Sequence, residues 1–209
     1  MKRPVLILLK VLTWIACLAP IAILVRDALV PEGLGPDPTA HIALTTGYTT
    51  LMLLTITLAV SPVRRILPRF GSLIRFRRLL GLFAFFYATV HMLTYVGLYT
   101  TPPFSIPFML HDIARRRFIT MGVAAYLLLI PLALTSTSWA IRKLGGKQWN
   151  RLHSLIYFAA ICGVIHYWWQ VKTGVLLPLP FTVVIAVLLL ARPLLAWRER
   201  HRRRAPAVA

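Results

Sequence analysis

The chain has 209 residues, of which 58% are hydrophobic and only 14% charged, with a mean hydropathy of +0.74. That balance excludes an ordinary soluble domain and predicts an integral membrane protein. The net charge of +19 would indicate nucleic acid on a soluble chain. Here, however, the basic residues sit in short clusters between apolar runs, which points to lipid headgroups and away from nucleic acid.

In chain order, six apolar runs have the length that crosses ~30 Å of hydrocarbon: residues 5–25, 42–63, 79–99, 118–134, 153–171 and 176–195, followed by a basic tail over 196–209. The prediction is an all-α polytopic membrane protein, a single six-helix bundle. The first run follows Lys2 and Arg3 and imitates a secretory signal. It is long enough to span and ends without a small-x-small cleavage site, so a retained helix is expected. The connections are too short for a folded extramembrane domain, and no internal repeat or low-complexity tract is evident. Cys17 and Cys162 both lie inside apolar runs, which leaves no basis for a disulfide or a thiolate metal site. No Cys-x-x-Cys-His occurs, so any haem is held non-covalently.

Orientation follows from where Lys and Arg collect. Lys2, Arg3 and Lys10 lie at the start of the chain. Six arginines between residues 64 and 78 lie between spans two and three, and Arg142, Lys143, Lys147 and Arg151 between four and five; six more arginines end the chain, making nineteen on one side. Arg26, Arg115, Arg116, Arg117 and Lys172 lie on the other side, with four of the five acids. Both termini are therefore expected in the cytoplasm of a bacterial inner membrane. The Arg115–Arg117 run departs from this pattern. It reads either as a solvated helix start or as a docking patch for a periplasmic partner.

Histidine carries the chemical information. His41, His111 and His201 sit at boundaries or in the tail, where a solvated histidine needs no further role. His91 lies midway along span three and His166 deep in span five, where an ionisable side chain is costly and normally has a functional partner. Both spans run in the same direction. His91 is twelve residues past residue 79 and His166 thirteen past residue 153, which places both ~18 to 20 Å from the cytoplasmic side. Two neutral imidazoles at one depth on parallel helices are what a low-spin b-type haem requires. Ala84, Tyr87 and Ala88 on one face, and Ala159, Cys162 and Gly163 on the other, are mostly small and allow a flat ligand to approach, although small residues also serve plain helix packing.

His153 precedes His166 by thirteen residues, a rise of ~20 Å, but the two point ~140° apart on an ideal helix. Arg77 and Arg78 stand where a partner histidine would be expected. One complete site is therefore expected at His91 and His166, with His153 as a ligand only if a second haem is present. Arg75, Arg77 and Arg78, entering span three, either mark topology alone or bind a cofactor's anionic group, since guanidinium forks suit carboxylates and phosphates.

The sequence Arg77-Arg78-Leu79-Leu80-Gly81-Leu82 followed by Tyr87-Ala88-x-x-His91, the Leu134-Thr135-Ser136-Thr137-Ser138 stretch, and Trp149-x-x-Leu152-His153-x-Leu155-x-Tyr157 leading to Ile165-His166-Tyr167 closely resemble the MsrQ (YedZ) family. These are haem-binding membrane subunits within the ferric reductase-like transmembrane group. The likeness extends over nearly the whole chain, including Gly33-Leu34-Gly35 and Thr46-Gly47, although Tyr48 stands where some relatives have Arg. The resemblance implies an electron conduit. Quinol or a reduced flavin (FMN) delivers electrons at the membrane, a b haem carries them across, and a separate periplasmic molybdenum-containing methionine sulfoxide reductase uses them. The chain has no Rossmann fingerprint or phosphate-binding loop, so its chemistry is expected to be the cofactor's. Two other readings use the same residues: a haem b anchor for another quinol-linked oxidoreductase, and a haem-free transporter or assembly factor.

Overall fold

The computed structural model describes residues 3–171 and 177–204. Lys2, Lys172, the first residue of the expected sixth span and the last five of the tail lie outside the described residues. The chain is helical throughout the membrane-length segments: α1 (Arg3–Leu29), α2 (Pro38–Ile66), α3 (Ile74–Thr94), α4 (Ile106–Arg115), α5 (Arg117–Leu134), α6 (Ser138–His153), α7 (Leu155–Gln170) and α8 (Leu179–Arg204). Six segments are long and apolar enough to cross a membrane, α6 and α7 counting as one.

Local chemistry explains the helix starts. The Asp37 side chain accepts from the Ala40 N–H at 2.9 Å to cap α2, Ser105 caps α4, and the Thr137 hydroxyl accepts from the Ala140 N–H at 3.1 Å to cap α6. Threonine, a weak helix former, recurs along α2, and most of its hydroxyls are satisfied within the helix. Thr46, Thr49, Thr50, Thr55 and Thr57 each donate to a carbonyl one turn back, at 2.7 to 2.8 Å.

Four helices form the centre. α2 packs on α3, α5 on α7, α3 on α5 and α2 on α7, so they close a ring with α3 and α7 at opposite corners. α1 lies outside this ring against α2 and α3, and α8 lies outside it against α2 and α7. Only 6% of the most apolar window of α1 and of α8 is buried by protein, against 44% for α2. The two outer helices therefore present most of their apolar surface to lipid. α1 is nevertheless tied in by Tyr87, a fully buried residue of α3. Its hydroxyl donates to the Cys17 carbonyl at 2.6 Å and accepts from the Ile21 N–H at 3.1 Å.

Two connections are more ordered than the sequence indicated. The segment between spans three and four holds α4, an amphipathic helix whose Asp112 is buried while Ile106 and Leu110 are exposed. Asp112 Oδ2 accepts from the Tyr95 hydroxyl at 3.2 Å, and Asp112 Oδ1 lies 3.2 Å from Arg116 Nε. The basic connection between spans four and five is helix α6, broken at Gly145, which takes φ +73. Glycine alone reaches that conformation without strain. His153 is the last residue of α6, separated from α7 by Ser154.

Candidate functional site: a histidine pair in the bundle core

The ring of four helices brings His91 of α3 and His166 of α7 together across the core, with ring centroids 5.9 Å apart and planes nearly perpendicular, at 85°. Each imidazole is fixed from behind by a backbone carbonyl of the preceding membrane span. His91 Nδ1 is 2.9 Å from the Ala43 oxygen, and His166 Nδ1 is 2.6 Å from the Phe118 oxygen. A carbonyl only accepts, so each Nδ1 carries the proton and each Nε2 keeps its lone pair. Among the described residues neither Nε2 has a hydrogen-bond partner.

Two glycines make this orientation sterically feasible. A Cβ at Gly47 would lie 3.1 Å from His91 Cε1, and one at Gly122 would lie 2.8 Å from His166 Nδ1. Gly47 is one turn past Ala43 on α2, and Gly122 one turn past Phe118 on α5. Each turn thus supplies a carbonyl for one ring nitrogen and space for the ring.

The two halves of the site repeat. Ala43, Gly47 and His91 correspond to Phe118, Gly122 and His166, each 75 residues further along. Each histidine follows its carbonyl by 48 residues. Thr45 and Thr120, Leu80 and Leu155, and the fully buried Ala84 and Ala159 fall at the same offset. This corrects the expectation of no internal repeat. The signal is Thr-x-Gly followed 44 residues later by His, twice in one chain. It is too sparse to register as compositional self-similarity. By the same offset His153 corresponds to Arg78, which is why no second histidine faces it.

His153 has protein partners instead. Thr135 donates its hydroxyl proton to the Pro131 carbonyl at 2.6 Å, so its oxygen accepts from His153 Nε2 at 3.1 Å. Trp149 stacks on the imidazole at 3.8 Å and donates to the Thr135 carbonyl at 2.9 Å. The structure separates the paired arginines: Arg78 is exposed, while Arg77 is half-buried and close enough to act electrostatically on His153 and Arg192. Arg192 of α8 was not singled out from the sequence. It donates to the Tyr157 hydroxyl and the Leu58 carbonyl, both at 2.7 Å, and lies over the Tyr157 ring. At the opposite end of the bundle Arg115 closes α4, Arg116 pairs with Asp112, and Arg117 opens α5.

The histidine geometry fits a haem. Imidazole nitrogens bind a metal at ~2.0 to 2.1 Å, and each ring centroid lies ~1 Å further back, so two rings sharing one ion stand ~6 Å apart. The observed 5.9 Å matches. Among the described residues no cluster of three or more His, Cys, Asp or Glu side chains could hold a metal. Two neutral donors suit an ion that brings its remaining ligands in a macrocycle. The fold and site thus define a polytopic helical membrane protein with a facing histidine pair in its core.

The comparisons narrow that class. Residues 39–164 match the family described as ferric reductase like transmembrane component. The chain is 44% identical over 206 residues to the protein-methionine-sulfoxide reductase heme-binding subunit MsrQ of Herminiimonas arsenicoxydans, covering 98% of this chain and 93% of that protein. It is 42% identical over 206 residues to the subunit of the same name from Xanthomonas oryzae pv. oryzae strain MAFF 311018, covering 96% and 91%. The relative from Xanthomonas axonopodis pv. citri is 44% identical over 185 residues, covering 86% and 83%. The chain belongs to the MsrQ family, within the ferric reductase-like transmembrane group.

Proposed function

We propose that this chain is the haem-binding membrane subunit of a methionine sulfoxide reductase system, passing electrons through a b-type haem held by His91 and His166. The observation that carries the reading is the pair itself: two imidazoles 5.9 Å apart, each with Nδ1 held by a carbonyl and Nε2 free. Hydrogen-bonding the non-ligating nitrogen fixes the tautomer and raises the basicity of the other, as second-shell partners do for metal-bound histidine. When bound, the haem supplies one-electron exchange at iron. The chain's residues hold it and set its depth.

Orientation follows from charge. The end bearing Arg64, Arg65, Arg142 and Lys143 faces the cytoplasm of the inner membrane, and the end bearing Asp27, Asp37 and Asp112 faces the periplasm. The histidine pair then lies in the periplasmic half, which favours exit toward a soluble molybdenum-containing reductase. Entry is from quinol or reduced flavin. An apolar cavity of about 360 Å³ bounded by Tyr48, Thr55, Tyr167 and Phe181 supports access for a lipid-soluble quinol. Arg77 and Arg78 at the cytoplasmic end have the charge to hold the FMN phosphate. His153 is held by Thr135 and Trp149, which supports a single haem; a second haem at His153 requires that it give up the bond to Thr135 or bind through Nδ1.

The test reduces the haem chemically in reconstituted membranes and then adds the periplasmic reductase with a methionine sulfoxide substrate. A b-type difference spectrum followed by reoxidation is expected. Absence of the spectrum rejects the haem reading in favour of a haem-free transporter or assembly factor. A spectrum that another periplasmic acceptor reoxidises, but this reductase does not, points to an anchor for a different quinol-linked oxidoreductase.

A further inference from the structure

A cavity of about 380 Å³ at the acidic end of the bundle is lined by Arg115, Arg117, Phe118 and Trp169. Its position is set by the histidine pair. Phe118 is the residue whose carbonyl holds His166 Nδ1 at 2.6 Å. Trp169 lies three residues past His166 on α7, a rise of ~4.5 Å. The cavity therefore opens about one helical turn outward from the imidazoles.

Its lining has the chemistry of an anion site. Arg115 and Arg117 line it, and among the described residues no acidic residue does. Asp112, the nearest acid in sequence, is engaged by Arg116 and Tyr95. Helix α5 begins at Arg117, and its N-cap residue Arg116 contributes no side-chain hydrogen bond, so the first N–H groups add positive potential to the same place. The arginines at the opposite end of α3 are far off. Arg77 and Arg78 precede His91 by 14 and 13 residues, which is ~20 Å along α3 and beyond the short acidic arms of a porphyrin.

The geometry points to Arg115 and Arg117, beside Trp169, as the site that binds the two carboxylate arms of the haem held between His91 and His166. This rests on the haem reading above. Arginine forks bind carboxylates through paired charge-assisted hydrogen bonds. The arrangement orients the group in its plane, which two axial nitrogens alone leave free to rotate. Lipid phosphate has the same oxyanion chemistry, so the experiment separates the two sources.

Full-length apoprotein is reconstituted in phosphatidylcholine nanodiscs and titrated with iron protoporphyrin or its dimethyl ester, following the low-spin spectrum. The wild type is expected to bind the diacid at least about tenfold more tightly than the ester, the scale of one charge-assisted hydrogen bond. R115Q/R117Q is expected to lower diacid affinity to that of the ester and leave ester affinity unchanged. R115K/R117K, which keeps charge without the fork, falls between. Equal binding of diacid and ester by the wild type, or undiminished discrimination in R115Q/R117Q, overturns the assignment. So does a loss of phosphatidylglycerol retention by R115Q/R117Q, measured in companion nanodiscs doped with that lipid, while both porphyrins bind alike, which assigns the site to lipid. If the wild type binds neither porphyrin more tightly than H91A/H166A does, the haem reading itself fails.

Discussion

Replacing Gly122 with alanine tests the geometry of the site. The new Cβ would lie 2.8 Å from His166 Nδ1 and 2.9 Å from Cε1, ~0.6 Å or more inside ordinary contact at ~3.5 to 4.0 Å. The imidazole must shift, and its bond to the Phe118 carbonyl lengthens or breaks. Overpacking of this kind costs ~1 to 3 kcal/mol, which at ~1.4 kcal/mol per decade weakens haem binding ~5- to 150-fold. The helix itself gains, because alanine is favoured over glycine by ~0.8 to 1.0 kcal/mol within a helix. The clash exists without haem as well, so the apoprotein bears part of the overpacking cost, offset in part by the helix gain; insertion should hold and apoprotein stability should fall by no more than ~2 kcal/mol while haem affinity falls. Gly47→Ala brings its Cβ to 3.1 and 3.2 Å from His91, a smaller intrusion, and should weaken binding less. Haem titration of the three purified proteins, alongside their apoprotein melting curves, makes the comparison. If Gly122→Ala binds haem as the wild type does, with an unshifted low-spin spectrum, the carbonyl-and-glycine account of ligand orientation is refuted.

His91→Ala or His166→Ala should each abolish low-spin haem while the protein still inserts, and His153→Ala should leave most of it; quantitative pyridine haemochrome measurement checks the ranking, and full haem in both of the first two would remove the axial assignment. Tyr87→Phe removes two hydrogen bonds to α1, each worth ~0.5 to 1.5 kcal/mol. It should raise proteolytic or exchange access to α1 with little change in haem content. Replacing Arg77 and Arg78 together with Lys keeps the charge and removes the forks. Flavin content should fall if they bind a phosphate, and unchanged flavin content and electron delivery would leave them a topological role.

The six membrane segments were legible because apolar runs of spanning length carry a strong compositional signal. The closeness of His91 and His166 was legible because depth can be counted in residues on parallel spans. Other parts were hidden for specific reasons. α4 is short and amphipathic, lying among prolines and glycine, so hydropathy gives it no weight. α6 carries Arg142, Lys143, Lys147 and Arg151, which reads as a cytoplasmic loop although the backbone is helical up to Gly145 and again beyond it. The carbonyls of Ala43 and Phe118 leave no trace in side-chain identity. Gly122 is one more small residue in an apolar run until a ring is found against it. Arg192 was counted with the basic tail, because only the packing of α8 on α2 and α7 reveals that its guanidinium reaches Leu58 and Tyr157.

The 75-residue correspondence has a consequence for how the molecule is made. Each half of the site is complete within one hairpin: α2 supplies the carbonyl and the space, and α3 the first imidazole; α5 and α7 do the same for the second. During synthesis His91 has its Ala43 acceptor available before any of the second hairpin has emerged. Its tautomer can be selected inside a fragment that ends near residue 99. The second hairpin carries the same parts for its own ring, the Phe118 carbonyl and the space at Gly122. The gap between the imidazoles is then set by the two contacts that join the halves, α3 on α5 and α2 on α7, rather than by the separate placement of two loose side chains.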